Sequence, residues 1–143
     1  MGLDPKVWLP HLQFVIQTIA ISYPTRPNDV SKRKYYDFVQ NLPVLIPDKP
    51  VGTFFIKLLD EFPVTPYLSS RMSFMKWVHF INNKLSKAIG EPELDFYESL
   101  EKYYEEYKPK ELKERQAYKE RKKYIQFTFI LSVVGLIIYS YGK

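Results

Sequence analysis

The 143-residue chain contains no cysteine. That absence excludes a disulfide framework, a thiolate zinc site and any redox chemistry run by thiols of its own. Histidine is scarce too. His11 and His79 stand 68 positions apart without ligand-like neighbours in the sequence, so no metal site is expected. The five glycines form no phosphate-binding loop, and no nucleophile motif is present. Glu98, Glu101, Glu105 and Glu106 read as a solvated helix face rather than paired catalytic carboxylates. No stretch alternates apolar and polar residues for long enough to suggest a strand.

What is present is apolar and aromatic. Hydrophobic residues make up 45% and aromatics 17%, enough for a packed core and too much for a disordered tail. The length fits one modest domain with an appendage. The formal charge of +5 suggests a polyanion partner until it is located. Residues 1–109 hold 13 basic and 13 acidic side chains, net zero. Residues 110–123 hold seven basic residues (Lys110, Lys113, Arg115, Lys119, Arg121, Lys122, Lys123) against Glu111, Glu114 and Glu120, net +4. Lys143 supplies the remainder. A neutral domain with a short basic segment argues against a nucleic-acid partner.

The basic segment leads into Tyr124–Tyr141, 18 residues without a formal charge. As a helix they extend about 27 Å, close to the hydrocarbon thickness of a bilayer. Tyr124, Tyr139 and Tyr141 sit near the ends, where amphipathic rings favour the headgroup zone. Tyr124, Phe127, Phe129, Leu131, Val134, Leu136, Ile138 and Tyr141 are the candidate membrane residues. A buried core helix is the competing reading, but the run has no amphipathic face. The charge asymmetry predicts a single-pass protein with residues 1–123 on the cytoplasm-equivalent side. Trp8–Ser22 is apolar but short, interrupted by His11, Gln13 and Gln17, and followed by no small-residue cleavage motif. It is expected to be a core helix rather than a signal peptide. The topology then reads as a tail anchor.

Residues 1–109 read as all-helical. Helices are expected over about Lys6–Ser22, from Asn28 or Asp29 to about Asn41, over about Val51–Phe62, from Ser69 or Ser70 to Gly90, and over about Glu93–Tyr107. Tyr23-Pro24 ends the first helix, because a residue before proline resists the helical region. Leu42–Pro50, with three prolines, reads as a loop. Gly90 suits the position just past a helix end, and Pro92 suits a first turn. A charged helix follows Pro109 and runs into the span. The domain plan is thus 1–109 bundle, 110–123 basic juxtamembrane stalk, 124–141 transmembrane helix.

Four islands carry a family pattern. The first is Trp8, Leu9, Pro10, Gln13, Gln17, Ala20, Tyr23 and Pro24. The second is Leu42, Pro43, Pro47, Asp48, Val51, Gly52, Phe54 and Phe55. The third is Ser69, Ser70, Arg71, Phe74 and Trp77, continuing through Asn82, Asn83, Leu85, Ser86, Ile89, Gly90 and Pro92. The fourth is Leu94, Asp95, Phe96 and Tyr103. In order and spacing they resemble the Erv/ALR family of FAD-linked sulfhydryl oxidases, over roughly Trp8–Tyr103. The family's first island reads W-G-P-x-x-W-x-x-x-H-x-x-A-x-x-Y-P; here Gln13 replaces the second Trp and Gln17 the His. Its second reads L-P-x-x-x-P-C-x-x-C-R-x-H-F; Asp48 and Val51 replace both redox cysteines, Gly52 the Arg and Phe54 the His. In the third, Asn82 replaces a His and Ser86 an Asn. In the fourth, Phe96 replaces a structural cysteine.

The resemblance implies an Erv/ALR-like four-to-five-helix bundle, often a homodimer. It does not carry the activity, because a carboxylate and a valine can neither attack nor resolve a disulfide. Asp48 instead suits an N-cap. In the family, residues at Trp8, Gln13, Gln17, Asn82, Asn83 and Ser86 lie against the flavin. Gln13, Gln17 and Asn82 lack the aromatic faces that flank it. Gln13 and Gln17, four apart on one helical face, can bond within a core without flavin, and Phe54 suggests that apolar side chains fill the space. The expectation is therefore no cofactor, with FAD as the alternative. The expected function is a membrane-anchored structural or adaptor protein on a catalytically inactive sulfhydryl-oxidase fold. By analogy with family members of large DNA viruses, it would be a virion minor capsid protein joining an internal membrane to the shell. Its partners would be the bilayer and capsid or membrane-complex subunits. The alternative is an FAD-binding family flavoprotein, active only where a partner supplies cysteines.

Overall fold

The fold is known from a computed structural model and is described for residues 2–142. Those residues form helices and turns, with no strand among them. The helices are α1 (Pro5–Ile21), α2 (Asp29–Leu45), α3 (Lys49–Glu61), α4 (Arg71–Ala88), α5 (Phe96–Glu105) and α6 (Lys110–Tyr141). A 3-10 turn, Thr65–Ser69, joins α3 to α4. The all-helical expectation therefore holds. The chain divides into two compact units, Met1–Glu101 and Lys102–Lys143.

In the first unit α1 packs on α4, α2 on α3, and α3 on α4. Side chains cap the helices as their sequences suggest. Asp4, Asn28, Asp48 and Ser70 each accept a backbone N–H from the following turn. Gly90 adopts φ +81° just past α4, and the Glu91 N–H reaches back to the Ser86 carbonyl at 2.9 Å. That closure needs the left-handed region, which glycine enters without a Cβ clash.

The core gathers Leu9, Ala20 and Tyr23 from the first island with Ile16, Phe55, Leu58, Phe74, Trp77, Val78 and Leu85. Tyr23 is fully buried; its ring meets Tyr35 at 4.6 Å and Phe74 at 5.0 Å. Its hydroxyl donates to the Leu68 carbonyl at 2.8 Å, and Arg71 donates to its backbone carbonyl. A tyrosine is worth burying there because its one polar atom has a partner. Trp77 likewise donates its indole N–H to the Phe62 carbonyl at 2.9 Å. The Tyr23, Arg71 and Trp77 positions of the sequence islands thus fasten α1, the 3-10 turn, α3 and α4 together.

Three boundaries differ from the sequence reading. The expected loop from Leu42 does not begin there: α2 continues through Pro43 to Leu45. Proline in a last turn removes only one helical hydrogen bond. Burial of Leu42 and Pro43 offsets that loss, and the Pro43 carbonyl lies where a Cβ on Gly52 would stand 2.9 Å away. The 3-10 turn was not anticipated. Helix α5 starts at Phe96, not near Glu93, and ends at Glu105 rather than Tyr107. Pro92 consequently lies outside any helix. The late start has a cause: Asn83 holds the Leu94 backbone in place, and the Asp95 carboxylate then accepts the Tyr97 N–H at 2.9 Å.

In the second unit, α6 is one unbroken helix of 32 residues, uniting the expected stalk and span. It is long and apolar enough to cross a membrane: its best 18-residue window has a mean hydropathy of 1.6 and is 0% buried. Thr128, Ser132 and Ser140 turn their hydroxyls back onto carbonyls four residues earlier, at 2.9 Å. Those three hydroxyls are thus satisfied within the helix.

Candidate functional site

The start of α3 is where the family motif places its redox pair. Asp48 is the N-cap: its carboxylate oxygen accepts the Val51 N–H at 2.9 Å, while its carbonyl accepts the Gly52 N–H at 2.9 Å. Val51 is buried in the core, and Phe54 packs against that core from its edge. The two positions are bonded to each other through a cap, and no nucleophile stands at either.

The second part of the site lies between α1, α4 and the start of α5. Gln13 donates its amide N–H to the Asn82 carbonyl and to the Ser86 hydroxyl, both at 3.0 Å. The Ser86 hydroxyl in turn lies 3.4 Å from the Gln13 amide oxygen. One turn along, Gln17 donates to the Ser99 carbonyl at 3.4 Å and its hydroxyl at 3.3 Å. Asn83 forms a two-way clamp on Leu94, donating to its carbonyl at 2.8 Å and accepting its N–H at 3.1 Å. The other amide proton of Asn83 faces the His79 ring Nε2 at 3.2 Å. Burial pushes the His79 pKa below its ordinary value, with the Leu94 backbone and Asp95 opposing. A neutral ring accepting at Nε2 fits that environment.

Gln13, Asn82 and Ser86 are therefore brought together, and Gln17 and Asn83 work beside them. Trp8 does not join them. Its indole donates to the Leu3 carbonyl at 3.3 Å, and its ring lines a separate apolar groove with His11, Leu12, Leu42, Leu45 and Pro47. His79 and Ser99 were missed as partners. The four-residue spacing of His79 to Asn83 was the available signal for the first; nothing local pointed to the second. No cluster of three metal-ligating side chains occurs among the described residues.

A flavin would have to fit among these groups. The cavity enclosed by Gln17, Ala20, Val78, His79, Asn82 and Phe96 measures about 10 Å³. That is room for about one water, whereas sites for cofactor-sized ligands enclose roughly 300–1,000 Å³. No buried side-chain polar atom is left without a hydrogen-bond partner among the described residues. The side-chain amides of Gln13, Gln17 and Asn83, at positions expected to meet a flavin, are spent on Ser86, Ser99 and backbone. As packed, the space among Gln17, His79, Asn82 and Phe96 does not fit a flavin ring, whereas the separate groove beside Trp8 is larger, about 370 Å³. Phe96, at the family's structural-cysteine position, closes the cavity with an edge contact to His79 at 5.4 Å.

No protein-family model matches the chain. It is 26% identical over 100 residues to a probable FAD-linked sulfhydryl oxidase of Acanthamoeba polyphaga mimivirus, covering 69% of this chain and 70% of that protein. Its fold matches the yeast Erv1 core at a TM-score of 0.61 and 23% identity, over 68% of this chain and 80% of that one. It matches the FAD-binding domain of Erv1 from Saccharomyces cerevisiae at the same TM-score and identity, over 66% and 89%. The resemblance to the Erv/ALR family is thus borne out in sequence and in fold.

Proposed function

We propose that this chain, an Erv/ALR relative in sequence and fold, is a pseudoenzyme that serves as a membrane-tethered structural or adaptor protein. The observation that carries the reading is the occupancy of the redox-pair positions by an N-cap aspartate and a buried valine. Thiol oxidation needs a thiolate to attack and a second sulfur to resolve the mixed disulfide. Neither side chain supplies one. The closed cavity beside Gln17 and His79 supports the same reading. In this view residues 1–109 are the docking bundle, 110–123 the stalk and 124–141 the anchor, with the bundle on the cytoplasm-equivalent side. The mimivirus relative supports a viral setting, in which the chain is a minor capsid protein joining an internal membrane to the shell. Pairing of two bundles as a homodimer belongs to the same proposal.

Purified protein is expected to consume no oxygen with a dithiol substrate, alone or with candidate partners; steady turnover by the isolated chain sinks the pseudoenzyme reading. The anchor is tested by alkaline carbonate extraction. The full chain should stay with membranes, and a chain lacking 124–143 should be released.

A second reading is a flavoprotein that kept FAD while losing thiol exchange. It is favoured by the names of the relatives, an FAD-linked oxidase and an FAD-binding domain. It requires α1, α4 and α5 to part. Protein that stays colourless after incubation with excess FAD removes it; a stoichiometric yellow complex establishes it.

A further inference from the structure

We infer that the last turns of α6 before the apolar span form a collar that binds anionic phospholipid headgroups. This rests on the reading of α6 as a membrane helix and adds a lipid class to it. Lys119, Arg121, Lys122 and Lys123 fall within the five residues preceding Tyr124, with Glu120 as the single opposing charge. The helix is unbroken from Lys110 to Tyr141, so its rise fixes their depth. All five residues lie within about 7.5 Å of Tyr124 along the axis. The polar layer on each side of the hydrocarbon is about 5–7 Å deep. The four cations therefore lie level with the headgroups when the apolar run fills the hydrocarbon.

Their disposition around the helix matters as much as their depth. Lys119, Lys122 and Lys123 span about 100° of one face, and Arg121 points to the opposite side. Arg115, one turn earlier, continues the three-lysine face. Helix side chains tilt toward the N-terminus, here away from the hydrocarbon, so the charged ends reach the phosphate level without being drawn into the apolar layer. All four are exposed, and none of them is in an ion pair among the described residues. Further from the span, two lysines are paired: Lys113 with Glu106 at 3.8 Å, and Lys108 with Glu105. Four exposed, unpaired cations crowded at the depth of the headgroups point to phosphate and carboxylate groups of lipid as their partners.

The test uses the full chain reconstituted in phosphatidylcholine vesicles carrying a trace of spin-labelled phosphatidylserine or spin-labelled phosphatidylcholine. Electron paramagnetic resonance reads the fraction of each label held at the protein. The expected preference for the anionic label is about fivefold in low salt, as about 1 kcal/mol per engaged cation gives, and it should shrink as salt rises. The variant Lys119→Gln, Arg121→Gln, Lys122→Gln, Lys123→Gln should hold both labels equally while remaining in the carbonate-resistant pellet. Equal retention of both labels by an inserted wild-type chain overturns the collar and leaves the membrane helix standing. An undiminished preference in the quadruple variant also overturns it. Release of the wild-type chain by carbonate overturns both readings together.

Discussion

Asp48 caps α3 at the place where the Erv/ALR motif has a redox cysteine. At the head of a helix a thiol is activated by the positive dipole end, and a carboxylate is stabilised by the same field while accepting backbone N–H groups. Replacing the thiol by Asp48 removes the reagent and strengthens the helix. Asp48→Ala should therefore lower the unfolding free energy by about 1 kcal/mol, and Asp48→Ser should keep most of it. Chemical denaturation followed by circular dichroism reads both; equal midpoints for wild type and Asp48→Ala would show that the cap contributes nothing. Gly52, four residues on, is constrained from outside the helix. A Cβ there would stand 2.9 Å from the Pro43 carbonyl, which is backbone and cannot swing away. Gly52→Ala is expected to destabilise by about 1–3 kcal/mol, despite alanine's better helix propensity. A stabilised Gly52→Ala variant would mean that α2 gives way at its end.

The connection between α4 and α5 has a pH dependence written into it. His79 is neutral when its Nε2 accepts the Asn83 amide proton, and burial holds its pKa below the unfolded value of 6.5. A base with a depressed folded pKa binds fewer protons folded than unfolded. Its contribution is complete above about pH 6.5, and it is lost as pH falls toward the lowered folded pKa. Protonation sets an N–H of the ring against an N–H of Asn83 and loosens the clamp on Leu94. Stability should accordingly fall between pH 7.5 and 5.5, and fall less in His79→Gln, whose carboxamide can accept the same bond without titrating. Identical pH profiles for the two proteins would assign the dependence to another group. This connection also marks where the sequence stops being readable. Local chemistry sufficed for the Asp48 and Ser70 caps, the Gly90 terminus and the apolar spacing of α4. It failed where distant residues override local preference. Pro43 looks like a stop, but Leu42 and Pro43 are buried and α2 continues through them. Pro92 looks like a start, but Asn83, eleven positions before Leu94, holds that stretch outside the helix until Asp95, whose carboxylate accepts the Tyr97 N–H. The site was legible to the same extent. Gln13 and Gln17 were recognisable as polar groups on one core-facing stripe, but Ser99, 82 residues from Gln17, was not recognisable as a partner.

At the scale of the molecule, the pseudoenzyme proposal rests on two separate features, and they can be pulled apart. One is the absence of sulfur at the head of α3. The other is the closure of the α1–α4–α5 cleft by amide hydrogen bonds and Phe96, leaving a cavity of about 10 Å³. If sulfur alone were missing, restoring it would restore the reaction in the presence of FAD. If the cleft has also been rebuilt, restored cysteines would face a packed core with no electron acceptor. The double variant Asp48→Cys, Val51→Cys is therefore expected to bind no flavin and to consume no oxygen with a dithiol, even with FAD in excess. It should also be less stable than wild type, having lost the cap. A yellow, oxygen-consuming double variant would show the opposite: a cleft that opens on demand and an activity lost by two substitutions. The first outcome fits a bundle whose interior now serves rigidity. Under the adaptor proposal such a bundle needs a fixed surface rather than a cofactor, and Gln13 and Gln17 contribute to that rigidity by tying α1 to α4 and to α5.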